Sequence, residues 1–368
     1  MTSRHALLLL IASSTVLADS RSGQAPINSD PTDTSNPILV GKRFPFDKIP
    51  YQADTSSSDR GAQSGYNRCN STTAGQESMC QTAILNSLDD FCLWGPPKPD
   101  TAIEDSESFE VAWCTKPTHG ARTIPAGALT GVQFIKTPSY VQITGHIKQN
   151  LINIKEGNTG GELDSGGQDG RGNPIGSLVY SSHFGSEQIP GQVVSWHNFI
   201  GSNTFCFKAC DPNGANPVGL CQHIYDRIGC AYNAPADYTD GVFLSCAGED
   251  QDPVGIYTGE DGVVTTYKQP PEGDGAITSI PYVARIPKTS ECKTFTSSLL
   301  YANAPKPPGD SGSKPPGDSS NTSKPNSPSN TQSGNPPGST DGTGAAVSKS
   351  ASVAGIFAAA LFGLMFAA

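Results

Sequence analysis

Tyr140-Val141-Gln142-Ile143-Thr144-Gly145-His146-Ile147 alternates without a break. Val141, Ile143, Gly145 and Ile147 fall on one side, and Tyr140, Gln142, Thr144 and His146 on the other. That period of two belongs to a half-buried strand. The same texture runs outward in both directions. Residues 151–155, 176–181, 192–199, 204–209, 242–246, 254–257, 263–267 and 277–285 read as further short strands between Gly, Pro, Asn and Asp turns. Such spacing specifies a mainly β domain, an antiparallel β-sandwich or a barrel-like fold. Residues 220–228 read as a short helix within it. Upstream, Cys80, Ile84, Leu88 and Phe91 share a helical face. Thr73 with Gln76 makes a capping box, and Gly95-Pro96-Pro97 makes a stop. This predicts one N-terminal helix over 73–93, stapled to the body by Cys80 and Cys92.

Ten cysteines follow the first eighteen residues: Cys69, Cys80, Cys92, Cys114, Cys206, Cys210, Cys221, Cys230, Cys246 and Cys292. The even number points to disulfides in an oxidising compartment. A zinc cluster over Cys206, Cys210, Cys221 and Cys230 lacks the tighter paired spacings of structural sites. Two local groups are expected, Cys69 to Cys114 and Cys206 to Cys246, with Cys292 drawing its partner from one of them.

The chain ends carry addresses. Residues 1–18 hold a short basic start at Arg4 and His5, an apolar core from Ala6 to Ala12, and a cut after Ala18, as in a secretory signal. Seven apolar residues are too few for a bilayer span, which takes about 20. Residues 19–43 form a polar arm ending in Lys42-Arg43, a candidate propeptide with a dibasic cut; the alternative is an exposed arm with an incidental pair. Residues 44–300 are the disulfide-rich domain. Residues 301–344 are a Pro-, Ser- and Gly-rich stalk, in which Lys306-Pro307-Pro308-Gly309-Asp310-Ser311 recurs at Lys314-Pro315-Pro316-Gly317-Asp318-Ser319. Residues 345–368 end in a short apolar tail behind the small residues around Gly344, the pattern of a GPI-anchor signal with lipid attached near Gly344. A tail-anchor helix is the alternative, but the tail is a poor span. Asn70 and Asn321 stand in N-glycosylation sequons. The chain is thus expected at the cell surface or in the cell wall, holding the membrane through lipid only.

A net charge of −10 repels nucleic acid. The chemistry-bearing residues are few. Glu162, Asp164 and Asp169 lie in the glycine-rich stretch 158–176, where two of them could serve as a hydrolase pair or all three could hold calcium; a solvated acidic turn is the bland alternative. His183 and His197 offer imidazoles, with Trp196 between them in the chain, but without a ligand motif, so packing or surface roles explain all three as well. His223, Tyr225, Asp226 and Arg227 sit between Cys221 and Cys230, as a recognition edge or a local ion pair. No serine elbow, phosphate loop or dinucleotide fingerprint occurs. No cofactor or metal is expected. The function expected is non-catalytic glycan binding at the surface, to cell-wall or host glycans. The alternative is a wall-remodelling glycoside hydrolase using the loop carboxylates.

Asn173-Pro174-Ile175-Gly176 with Leu178-Val179-Tyr180-Ser181, Phe205-Cys206-Phe207-Lys208-Ala209-Cys210, and Cys221-Gln222-His223-Ile224-Tyr225-Asp226-Arg227-Ile228-Gly229-Cys230 resemble the macrophage-activating glycoproteins of basidiomycete fungi. The resemblance covers most of residues 44–298. It implies a secreted or wall-associated fungal glycoprotein and assigns no catalytic residue.

Overall fold

The structure, a computed structural model, describes residues 38–301. The signal segment, the stalk with Asn321, and the anchor signal with Gly344 lie outside the described residues. A hairpin of β1 (Ser57–Ser58) and β2 (Gly61–Ala62) opens the chain. Then come β3 (Thr82–Ser87), β4 (Asp90–Gly95), β5 (Val111–Cys114) and β6 (Arg122–Thr123). The long β7 (Leu129–Lys136) and β8 (Tyr140–Ile147) lead to β9 (Gly161–Asp164), β10 (Leu178–Ser181) and β11 (Gly191–Val193). β12 (Trp196–Gly201), β13 (Thr204–Cys210) and β14 (Phe243–Gly248) follow. β15 (Ile256–Thr258), β16 (Val264–Thr266) and β17 (Thr289–Thr294) close the series. The helices are single turns: α1 (Pro217–Leu220), α2 (Cys230–Asn233) and α3 (Ser297–Leu300).

Two sheets carry the domain. One has six strands in the order β11-β10-β3-β4-β5-β6, the other seven in the order β17-β14-β7-β8-β13-β12-β9. Pairing is mostly antiparallel, with parallel contacts at β3/β10, β5/β6 and β7/β14. Neither sheet closes on itself among the described residues, so the architecture is a sandwich and not a barrel. Aromatic side chains fill the space between the sheets. Phe91 stacks on Phe205 at 6.2 Å, and Trp94 lies 5.9 Å from Trp196. The backbone N–H of Trp94 donates to Asn198 Oδ1 at 3.0 Å, locking strand to strand across the core.

The segment read as a helix is the hairpin β3–β4. Cys80, Ala83, Ile84, Leu85, Leu88, Phe91, Cys92, Leu93 and Trp94 are all buried. Strands covered on both faces read as a continuous apolar run, and a helical spacing can be picked out of any such run. The turn signal is local: Ser87 Oγ donates to Asp89 Oδ1 at 2.7 Å, and Asn86 Nδ2 donates to Asp90 Oδ2 at 3.0 Å. Residues 220–228 are likewise not a helix. α1 ends where that stretch begins and α2 starts beyond it. Residues 277–285 make no strand, and residues 151–155 contribute only the bridge of Ile154 to Thr101.

All ten cysteines are paired: Cys69–Cys80, Cys92–Cys114, Cys206–Cys230, Cys210–Cys221 and Cys246–Cys292. The first local group closes within itself, and the second supplies Cys246 as the partner of Cys292 while its other four cysteines pair with one another. Residues 38–43 lie along the body. Leu39 is buried and its N–H donates to Gly170 O at 2.8 Å, while Lys42 Nζ stands 3.7 Å from Asp54. Arg43 is exposed. No helix among the described residues is long and apolar enough to cross a membrane.

Candidate active site

Strand register decides which side chains share a face. His197 pairs with Asp164 on one side and with Lys208 on the other, and Lys208 pairs with Gln142. Phe199 pairs with Glu162. Alternation then puts Glu162, Asp164, His197, Lys208 and Gln142 on the face of the large sheet turned away from the aromatic core. A polar sheet face needs a cover that supplies hydrogen bonds. The segment from Asp211 to Ala234 is that cover, stapled by Cys210–Cys221 and Cys206–Cys230. Lys208 is fully buried beneath it. Its ammonium donates to Leu220 O at 3.5 Å, to Asn233 O and to Gln251 Oε1, and lies 4.9 Å from the Tyr140 ring centroid. Burial pushes this lysine well below its ordinary range.

At the β9 end acidic side chains cluster beside the cover. Asp164 Oδ1 accepts the N–H groups of Gly166 and, at 2.7 Å, Gly167. Gly167 adopts φ +60°, and a Cβ there would stand 2.7 Å from the Gly172 carbonyl, so this turn requires glycine. His223 Nδ1 comes to 4.0 Å from Asp164 Oδ1. Glu107, from the turn before β5, reaches the same place. Its Oε2 accepts from Gln168 Nε2 and Asn173 Nδ2, both at 3.2 Å. Its Oε1 lies 2.9 Å from where a Gly161 Cβ would be. Glu162 and His197 lie buried on the same sheet face. Glu162 Oε1 and both His197 ring nitrogens are buried without a hydrogen-bond partner.

The charges reinforce one another. Burial pushes Glu107 up to about 7; Asp164 and Asp226 add to the push, while the Gln168 amide and Arg60 oppose it. Burial first, then Asp164, Asp226 and Glu107, hold Glu162 well above the carboxylate range. Burial, Lys208 and His223 hold His197 well below the imidazole range, so it is neutral. Carboxyl groups kept protonated beside other carboxylates are the arrangement used for proton transfer.

Of the residues singled out in the sequence, the fold brings Glu162, Asp164, His197 and His223 together, while Asp226 is exposed, accepts from Gln269 Nε2 and adds to the push on Glu162. Asp169 is taken up by Arg60 at 2.7 Å and Ser58 Oγ at 3.1 Å. Trp196 belongs to the core, 5.7 Å from Phe207. Tyr225 is buried and donates to Tyr267 O at 3.0 Å. Arg227 ties down the carbonyls of Pro270, Pro271 and Gly275. His183 Nε2 lies 2.7 Å from Asn86 O, against the small sheet. Asn70 is exposed, its Oδ1 accepting from Thr72 Oγ1 at 2.7 Å. Glu107 has no local signal; Asp105-Ser106-Glu107-Ser108 reads as an ordinary polar turn. Among the described residues no group of three or more His, Cys, Asp and Glu side chains is placed to hold a metal ion.

No family model matches the chain, and no solved structure matches it. Two curated fungal proteins do. The appressorium protein ROW1 of Mycosarcoma maydis is 42% identical over 236 residues, 64% of this chain, and the chain spans 52% of that relative's length. The appressorium protein ROW2 of the same fungus is 40% identical over 268 residues, 70% of this chain and 85% of ROW2.

Proposed function

Because the chain belongs to the family of the fungal appressorium proteins ROW1 and ROW2, we propose that it works outside the fungal cell as a GPI-anchored surface or wall glycoprotein that binds an uncharged glycan. The likeness to the macrophage-activating glycoproteins of basidiomycetes supports the same reading, and so do the secretory signal, the stalk and the anchor signal in the sequence. One observation carries the glycan part. Asp164 and His223 lie beside the buried Glu162 and His197, whose polar atoms lack partners, and Glu107 and Asp226 are near enough to add to the push on Glu162. Carboxylates accept hydrogen bonds, and sugar hydroxyls donate them in adjacent pairs. An acidic rim disfavours uronic acids and sulfated chains. Wall and host glycans are both within this class.

A glycan array probed with the mature secreted protein tests the reading. Binding is expected on uncharged chains, weaker by about 10-fold or more in Asp164→Asn, since charged hydrogen bonds are worth about 1.5–3 kcal/mol. A blank array would remove glycan binding.

A further inference from the structure

We propose that the protein carries a second sugar site, a tyrosine-lined pocket that takes the apolar face of an uncharged pyranose; this rests on the reading that the ligand is an uncharged glycan. The pocket shares no residue with the carboxylate cluster. It lies between residues 251–255, β15 with the turn after it, and residues 281–285, with Tyr232 of α2 contributing. Its volume is about 310 Å³, at the small end of the range for small-molecule sites.

The walls are tied to one another. Arg285 forks onto Asp252, with Nε 3.0 Å from Oδ2 and Nη2 3.1 Å from Oδ1. Tyr232 donates its hydroxyl to Tyr282 O at 3.1 Å, and the Gly255 N–H donates to Tyr282 Oη at 3.2 Å. Gly255 adopts φ +80°, and a Cβ there would stand 2.1 Å from Tyr225 Oη, so this wall requires glycine. A pocket fixed in this way loses little freedom when a ligand enters.

The lining selects the ligand. Tyr257 and Tyr282 stack with ring centroids 4.7 Å apart and planes 3° from parallel, and Tyr232 meets Tyr282 edge-on at 5.2 Å. Rings stacked on each other do not form the open box that holds a quaternary ammonium. Tyr257 is half-buried, lines the cavity and stacks on no ring but that of Tyr282 among the described residues. Its outer face is electron-rich and meets the weakly positive C–H hydrogens of a pyranose. Val283, 90% exposed, extends the apolar surface. Asp252 takes up the Arg285 guanidinium, so an anionic ligand finds no spare cation there. Thr258 and Glu260 line the same cavity and are exposed, a hydroxyl and a carboxylate for the ring hydroxyls. Tyr282 Oη accepts from Gly255 and keeps its own proton to donate.

The test nitrates the mature protein with tetranitromethane, with and without oligosaccharides of β-1,3-glucan, chitin and mannan, and reads each tyrosine by mass spectrometry. Calorimetric titration with the same oligosaccharides gives affinity. At least one of them should protect Tyr257, and the protection should persist in Asp164→Asn. Adding Tyr257→Ala to Asp164→Asn should weaken the remaining binding by about 5- to 10-fold, the scale of one aromatic contact. Tyr257→Phe keeps the ring and should bind like the wild type. Oligosaccharide binding with Tyr257 nitrated as fast as in the free protein would overturn the pocket and leave the carboxylate cluster as the glycan site. Protection of Tyr257 with affinity unchanged in Asp164→Asn would uphold the pocket and remove the cluster from glycan binding. A blank titration with every oligosaccharide would overturn both. If Tyr257→Ala fails to fold, the protection pattern of the wild type decides.

Discussion

Glu110 is completely enclosed, with Ser106 Oγ at 3.0 Å from one oxygen and nothing on the other. Burial pushes it from 4.5 up to about 8. Below 4.5 both folded and unfolded chains hold the proton, and the contribution to stability is present in full. Between 4.5 and about 8 the unfolded chain has released the proton and the folded one has not. Stability therefore falls as pH rises, by about 1.4 kcal/mol for each unit over that window. Glu107 adds to the fall up to about 7. Asp54 and Asp90, held low by Arg171 and His119, act in the opposite sense and only under acid conditions. Melting temperature should be higher at pH 5 than at pH 8, and Glu110→Gln should flatten the dependence and raise the value at pH 8. Calorimetry across that range checks it; an unchanged slope in the variant would exclude Glu110 as the source. Single residues were legible unevenly. Glu162 and Asp164 stood out because acids among glycines attract notice. Glu107 did not, because its value comes from chain crossing that no local pattern records.

The elements were legible wherever one face is wet or polar. β8 alternates, and its alternation announces a strand. The hairpin β3–β4 is dry on both faces, so nothing distinguishes its period from a helix. The cover over the polar sheet face is a third kind of element, one held by covalent bonds and by Lys208 more than by secondary structure. Its two helices are single turns, far too short to persist alone. Replacing Cys206 and Cys230 together by Ala should cost about 2–4 kcal/mol. It should also speed deuterium uptake in Asp211 to Asn233 while β3 and β4 stay protected. Equal loosening of both regions would show that the cover and the core are one cooperative unit.

At the scale of the whole molecule, the mainly β class, the even cysteine count and the pairing groups were legible from spacing, while the choice of sandwich over barrel was not. The order of strands was not, because the parallel contacts of β10 with β3 and β14 with β7 join segments far apart in the chain. The sequence at the ends makes its own prediction. Phosphatidylinositol-specific phospholipase C on intact cells, with glucanase digestion in parallel, should release the protein, and the peptide ending at Ala368 should be missing from its mature form. Retention after both treatments with that peptide present would rule out a lipid anchor.

The last strand has a mechanical consequence. Tyr301 donates its hydroxyl to Leu129 O at 2.8 Å, and β17 runs along the edge of the large sheet beside β14. Tension entering through a tether beyond Tyr301 would strip these hydrogen bonds one at a time, like a zip, until it reached Cys292. There the bond to Cys246 hands the load to β14, which is braced by β7 on its other side. Peeling becomes shear against the sheet, and it stops. The carboxylate cluster lies at the far edge, on β9, and would keep its geometry while the protein is pulled.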